Sequence, residues 1–142
     1  MIVRAASVAD FPAWAAMRRR LWPDEDSDAL ERELALAPGQ LGLVAEAEGR
    51  LVGFAEASIR NYAEGAPAGP AAYLEGIWVE PDHRRQGVAR ALLAAVERWA
   101  REQGLGHIGS DALLDNEVSH RWHAAAGFAE VERLVVFGKP LR

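Results

Sequence analysis

The stretch Arg84-Arg85-Gln86-Gly87-Val88-Ala89 joins a short basic turn directly to an amphipathic helix. A turn of this kind leaves several backbone N–H groups unpaired and pointing one way. The helix dipole adds roughly half a positive charge at the same end, which suits a diphosphate. Gly87 lets the backbone approach an anion closely, where a Cβ would obstruct it. Arg84, Arg85 and Arg90 add positive charge. The same residues would equally serve as an ordinary helix start with solvent-facing arginines. The turn lacks the G-x-x-x-x-G-K-[ST] of a P-loop and the three spaced glycines of a dinucleotide fold. Just upstream, Glu75 lies inside the apolar run AYLEGIWV, residues 72–79. A carboxylate there must face a cleft or find a partner.

The elements that position these groups follow from pattern and punctuation. Ile2 to Ala6 reads as a first strand. Ser7 to Asp10 offers capping chemistry, and a helix runs from about Asp10 to Leu21, ended by Trp22-Pro23. Ser27 caps a second helix with Leu30, Leu34 and Ala37 on one side, stopped by Pro38-Gly39. Gln40–Glu48 and Leu51–Arg60 read as strands joined by a hairpin turn at Gly49-Arg50. Residues 61–72 carry two glycines and two prolines and form a surface loop. Ala72–Val79 is a strand that Pro81 ends. From Gly87 to Gln103, Ala89, Leu92, Leu93, Val96 and Ala100 share one helical face, with Glu97 and Arg101 paired on the other. Gly104 terminates this helix. His107–Asp111 is a short strand, Asn116–Ala126 a helix that Asp115 could cap, and Phe128–Phe137 a final alternating strand. The order β-α-α-β-β-β-α-β-α-β describes an α/β (α+β) single domain over residues 1–142, with a mixed, mostly antiparallel central sheet flanked by helices.

Composition bounds the function. The 142 residues suffice for one domain, and 26% are charged, which excludes a disordered or fibrous chain. Acidic residues outnumber basic ones by 21 to 16, for a formal charge of −5. That balance argues against a nucleic-acid groove or an anionic membrane surface and leaves room for a cationic substrate. With no cysteine, disulfide scaffolds and Cys nucleophiles are excluded. No run of about 18 apolar residues and no secretory signal pattern is present, so a cytoplasmic protein is expected. His120 and His123 stand i, i+3 with no third ligand, so no metal is expected.

Arg84-x-x-Gly87-x-Ala89 after Ile77-Trp78-Val79 resembles the acetyl-CoA pyrophosphate loop of the GCN5-related N-acetyltransferase superfamily. Asn116 to Phe128 is similar to that superfamily's second signature, a helix ending in Gly-Phe. Within it the chain looks most like the aminoglycoside 6′-N-acetyltransferases, through Trp22, Tyr62, Tyr73 to Val79, Ser110-Asp111, Asp115-Asn116 and Gly127 to Arg133.

The resemblance implies an acetyl-CoA-dependent acyl transfer to the 6′-amino group of an aminoglycoside antibiotic, hence a resistance enzyme. Backbone N–H groups of the loop-bearing strand would polarise the thioester carbonyl. This sets Ile77, Trp78 and Val79 against the cofactor and counts Val79 among the catalytic residues with Glu75 and His123. Arg84, Arg85, Gln86, Gly87, Val88, Ala89 and Arg90 would hold the pyrophosphate, and Asn116 the pantetheine arm. Trp22, Tyr62, Glu75, Asp111 and Glu132 would meet the polycationic amine, with Glu75 orienting the reacting nitrogen. A homodimer, with the C-terminal strand exchanged, is also implied. The sequence departs from the superfamily where many members carry a proton-donating tyrosine; His123 stands there. It could donate a proton or only pack beside the cofactor. Acidic Asp24, Glu25, Asp26 and Asp28 read as favourable charge at the second helix's start. Two other readings stay open: acetylation of another small amine, such as a polyamine or amino-sugar metabolite, and a non-catalytic acyl-CoA-binding domain.

Overall fold

Five strands hydrogen-bond in the order β1-β2-β3-β4-β5 in the computed structural model, which describes residues 1–24 and 37–142. They are β1 (Ile2–Ala5), β2 (Gln40–Ala47), β3 (Arg50–Arg60), β4 (Ala71–Val79) and β5 (Ile108–Ser110). The first four pair antiparallel, and β5 runs parallel to β4. Hairpins account for the antiparallel pairs β2–β3 and β3–β4, whereas a helix over Phe11–Leu21 intervenes between β1 and β2; the parallel step needs a long crossover, supplied by helix α2 (Val88–Glu102). The β2–β3 turn falls one residue earlier than the sequence suggests. Ala47 pairs with Arg50, and the central residues are Glu48 and Gly49, both at positive φ. Two positive-φ residues give the turn a twist that matches the strands it joins.

The chain divides into two compact units, Met1–Asp111 and Ala112–Arg142. In the first, helix α1 (Phe11–Leu21) covers one face of the sheet and α2 the opposite face. The α1 face is filled by Phe11, Trp14, Met17, Val44 and Phe54. Each such side chain contributes roughly 1.5–3 kcal/mol on burial. On the other face the buried residues of α2 include Leu92, Leu93, Val96 and Ala100, the stripe its spacing predicts. Arg101 meets Glu97 at 3.9 Å on the exposed side. At the foot of α1, Asp10 accepts from the Ser7 N–H and hydroxyl and holds Arg4 in a two-point ion pair of 2.7 and 2.9 Å. The Arg4 guanidinium lowers the Asp10 carboxyl to about 2, against the opposing effect of burial. The second helix expected from Ser27 lies outside the described residues, as do Glu25, Asp26 and Asp28.

The second unit holds helix α3 (Glu117–Ala125). Its cap is Asn116 rather than Asp115: the Asn116 side-chain oxygen accepts from the Ser119 N–H at 3.2 Å. The strand expected over Phe128–Phe137 does not form, and residues 128–142 carry no helix or strand. Alternation marks a segment able to be a strand, but only a neighbouring ladder makes it one.

Candidate active site

Strand β4 carries one residue more than its partner. Leu74 pairs with Ala57 and Gly76 with Glu56, so Glu75 is the extra residue of a β-bulge. A bulge re-aims side chains beside it, and here it sends positions 75 and 76 to the α1 face. Glu75 accepts from Ser58 Oγ, and from Arg60 through Nε at 3.0 Å and Nη2 at 2.6 Å. Glycine at 76 leaves room for the Trp22 indole: a Cβ there would stand 2.2 Å from Trp22 Cζ2. Trp22 also meets Phe54 edge-on at 6.1 Å, with the Arg18 guanidinium 5.0 Å from its ring.

These groups line a cleft of about 400 Å³ bounded by Arg18, Trp22, Gln40, Glu56, Ser58, Glu75 and Asp111. Its three carboxylates differ in setting. Glu56 is buried and paired with Arg18 at 2.6 Å, and the Trp14 Nε1–H donates to the same oxygen at 3.0 Å. Asp111 accepts from the Tyr73 hydroxyl at 2.6 Å. Burial, then this hydrogen bond, pushes the Tyr73 phenol well above its ordinary value, so it remains a donor. Glu75 is the half-exposed member. Tyr62, which the family resemblance counts among the substrate-contacting residues, stands exposed just after β3.

Toward its far end β4 offers a different surface. The parallel ladder with β5 stops at Leu74 and Ser110, so from Gly76 to Val79 the strand pairs only with β3 among the described residues. Ile77, Trp78 and Val79 thus present backbone groups that an extended amide-bearing arm could join, as a peptide joins a sheet edge. The turn that follows has Arg85 and Gly87 at positive φ, 61° and 84°, immediately before α2. Alternating left-handed residues curl successive N–H groups into an anion-binding concavity. A Cβ at Gly87 would meet no atom within 4 Å, so the approach is open. An open strand edge leading to an N–H concavity fits a pantetheine arm ending in a pyrophosphate. Arg84 is turned back on the strand: its Nε donates to the Val79 carbonyl at 2.9 Å, and its guanidinium lies 4.8 Å from the Trp78 ring. Val88 is buried within α2, and Gln86 Nε2 donates to the Asp82 carbonyl at 3.3 Å.

Comparison with known proteins places the chain as a whole in a family. The profile of the Acetyltransferase (GNAT) family matches residues 9–128. The chain belongs to the GNAT acetyltransferase family. Among this family's characterised members, the aminoglycoside N(6′)-acetyltransferase type 1 of Stenotrophomonas maltophilia is 43% identical, over 98% of this chain and 93% of its own. The apo 6′-N-acetyltransferase AAC(6′)-IG of Acinetobacter haemolyticus superposes with a TM-score of 0.92 at 37% identity, covering 100% of both chains. AAC(6′)-Iy bound to the bisubstrate analogue CoA-S-monomethyl-acetylneamine gives 0.91 at 35%, covering 99% of this chain and 98% of that one. As a GNAT protein the chain is an acetyl-CoA-dependent N-acetyltransferase. Acetyl-CoA supplies the activated acetyl group.

The remaining residues expected at the site from the sequence belong to the second unit. His123 Nδ1 lies 2.7 Å from the Ser119 carbonyl oxygen and 3.2 Å from its hydroxyl, and the ring packs edge-on to Trp122 and Phe128. An Nδ1–H donated to that carbonyl leaves Nε2 of the neutral ring an acceptor, so His123 could donate a proton from Nε2 only as imidazolium. Glu132 lies in the exposed C-terminal segment. Sequence reasoning missed Arg18, Glu56, Ser58 and Arg60. Glu56 carried a usable signal, since a carboxylate within LVGFAEASIR faces the same desolvation as Glu75; Arg60, at a strand end, carried none.

Proposed function

We propose that the protein acetylates the 6′-amino group of aminoglycoside antibiotics, and that residues 1–142 act as one N-acetyltransferase domain. The observation that carries this is the acidic cleft walled by Trp22, with Glu75 at its half-exposed edge, on the same strand as the open edge at Ile77 to Val79. An aminoglycoside carries several ammonium groups and apolar ring faces, and carboxylates beside an aromatic wall match both. The curated relatives, named for this reaction, support the assignment.

In this reading Glu75 and Asp111 receive ammonium groups, Trp22 and Tyr62 meet sugar rings, and Glu132 adds a further carboxylate. Glu75 orients the reacting amine, directly or through water, and takes up its proton. The Val79 backbone, with Ile77 and Trp78, polarises the thioester carbonyl. Arg85 to Arg90 hold the pyrophosphate, with Arg84 beside them, and Asn116 meets the pantetheine arm. His123 protonates the departing thiolate or packs beside it. Binding the amine and the thioester along one strand converts a bimolecular reaction into an aligned one.

The same reading makes the protein a cytoplasmic homodimer exchanging its C-terminal strand. The support is Val131 to Phe137, strand-patterned, exposed and outside any ladder; light scattering would give a mass near twice 15.5 kDa. Among the described residues no helix is long and apolar enough to cross a membrane.

The deciding experiment is thiol release from acetyl-CoA with kanamycin, tobramycin, a 6′-hydroxyl aminoglycoside and spermidine in parallel. Turnover on the 6′-amino drugs alone is expected. Turnover on spermidine alone would replace the drug by a polyamine, and turnover on none would mean that the acceptor amine lies outside both classes.

A further inference from the structure

Glu75 is expected to align the amine, but its carboxylate is already engaged. A carboxylate has about four acceptor directions. Oε2 accepts from both Ser58 Oγ and Arg60 Nε, and Oε1 accepts from Arg60 Nη2. Among the described residues, three directions are therefore filled from within the protein, and the one left open is on Oε1. Arg60 is in turn held in place. Its guanidinium lies 3.5 Å from the centroid of the Tyr73 ring, whose hydroxyl donates to Asp111. A planar fork resting on a ring and bonded at two points has little freedom to tilt.

From this geometry we infer that Arg60 is the positioning residue of the site. It locks the Glu75 carboxylate in one plane and leaves it a single acceptor direction, so that Glu75 receives one amine nitrogen from one side. The inference rests on the reading of Glu75 as the group that meets the substrate amine. It adds that the alignment is set by a cation of the protein itself, in a cleft otherwise suited to cations. Without Arg60, Glu75 could rotate and accept two ammonium groups, binding the polycation without aligning the reacting nitrogen. Arg60 acts through Glu75 and touches neither substrate in this account.

The test is steady-state kinetics of Arg60→Gln and Arg60→Lys, each alone and combined with Glu75→Gln, on the best amine substrate of the wild type. Arg60→Gln is expected to lower kcat by about 10- to 100-fold, the range a misaligned reactant produces. The KM for acetyl-CoA should stay within about twofold, and the KM for the amine should stay level or fall. Arg60→Lys should recover little, because an ammonium cannot reproduce the two-point fork. In the Glu75→Gln background, Arg60→Gln should change kcat by no more than about twofold, since coupled residues are not additive. A merely structural arginine would give the same loss in both backgrounds. That result, or an Arg60→Gln kcat within about twofold of wild type, would overturn the inference. Should Arg60→Gln fail to fold, Arg60→Lys, which keeps the charge and loses the fork, carries the same comparison. A wild type silent on every amine would instead sink the functional reading and this inference with it, which an active wild type with an unaffected variant would not.

Discussion

The Trp22 indole occupies the space that any side chain at position 76 would need. A Cβ on Gly76 would lie 2.2 and 2.3 Å from two of its ring atoms and 3.2 Å from Leu21 Cδ2. The ring cannot retreat freely, because Phe54 and Arg18 pack against it. Gly76→Ala should therefore displace the indole and destabilise the fold by about 1–3 kcal/mol, as overpacking does. A higher amine KM with an unchanged KM for acetyl-CoA would place the damage in the cleft. An unchanged melting temperature and unchanged kinetics would show the ring to be more yielding than its neighbours suggest.

Replacing Glu75 by Gln keeps the shape and removes the charge. The expected outcome is a fall in kcat of about 100-fold or more, typical of losing a positioned proton acceptor, with calorimetric CoA affinity preserved. Equal losses in both, or in neither, would remove Glu75 from the reaction.

At Gly87 the backbone stands at φ +84° with open space beyond it. A β-branched side chain strains that conformation by about 1–3 kcal/mol, and it would project into the approach to the N–H concavity. Gly87→Val should thus weaken CoA binding by about tenfold or more in a titration. Full CoA affinity would mean that the pyrophosphate binds elsewhere.

Acid stability should report on Arg4 and Asp10. The folded Asp10 carboxyl is lowered from 3.8 to about 2 by the Arg4 guanidinium. A depressed folded pKa contributes stability that is complete above the unfolded value and is lost as pH falls through the folded one. The contribution, on the order of 2 kcal/mol, should therefore be complete above about pH 5, fall as pH drops through about 4 and 2, and be gone only at about pH 1. Urea unfolding of Asp10→Asn should show lower stability than wild type at pH 7, with the difference closing across that window. A constant difference across it would assign the effect to packing.

Much of this was legible in the chain, and what was not has physical causes. Helix α2 was readable because its apolar stripe faces a sheet and its end uses Gly104 at positive φ. Glu75 was readable because an apolar strand cannot hide a carboxylate without a partner. The bulge beneath it was not, since the extra residue exists only relative to the register of β3. Arg60 and Ser58 were missed for the same reason: they reach Glu75 across strands, 15 and 17 residues away in sequence. Phe128 to Phe137 shows the opposite error, a pattern that states a capacity for pairing and does not name the partner.

The bulge also fixes a length. A regular strand grants each face every second residue, so at the level of Glu56 the cleft could receive a carboxylate or a bare backbone, not both. The added residue supplies both without turning the rest of β4 over, so Trp78 stays on the face of α1. It also lengthens the path from Glu75 to Val79 by up to about 3.3 Å, one residue of extended chain. Deleting Gly76 would leave every downstream side chain on its present face and still draw Glu75 and Val79 together, so the spacing between these two residues is written into β4 as a residue count.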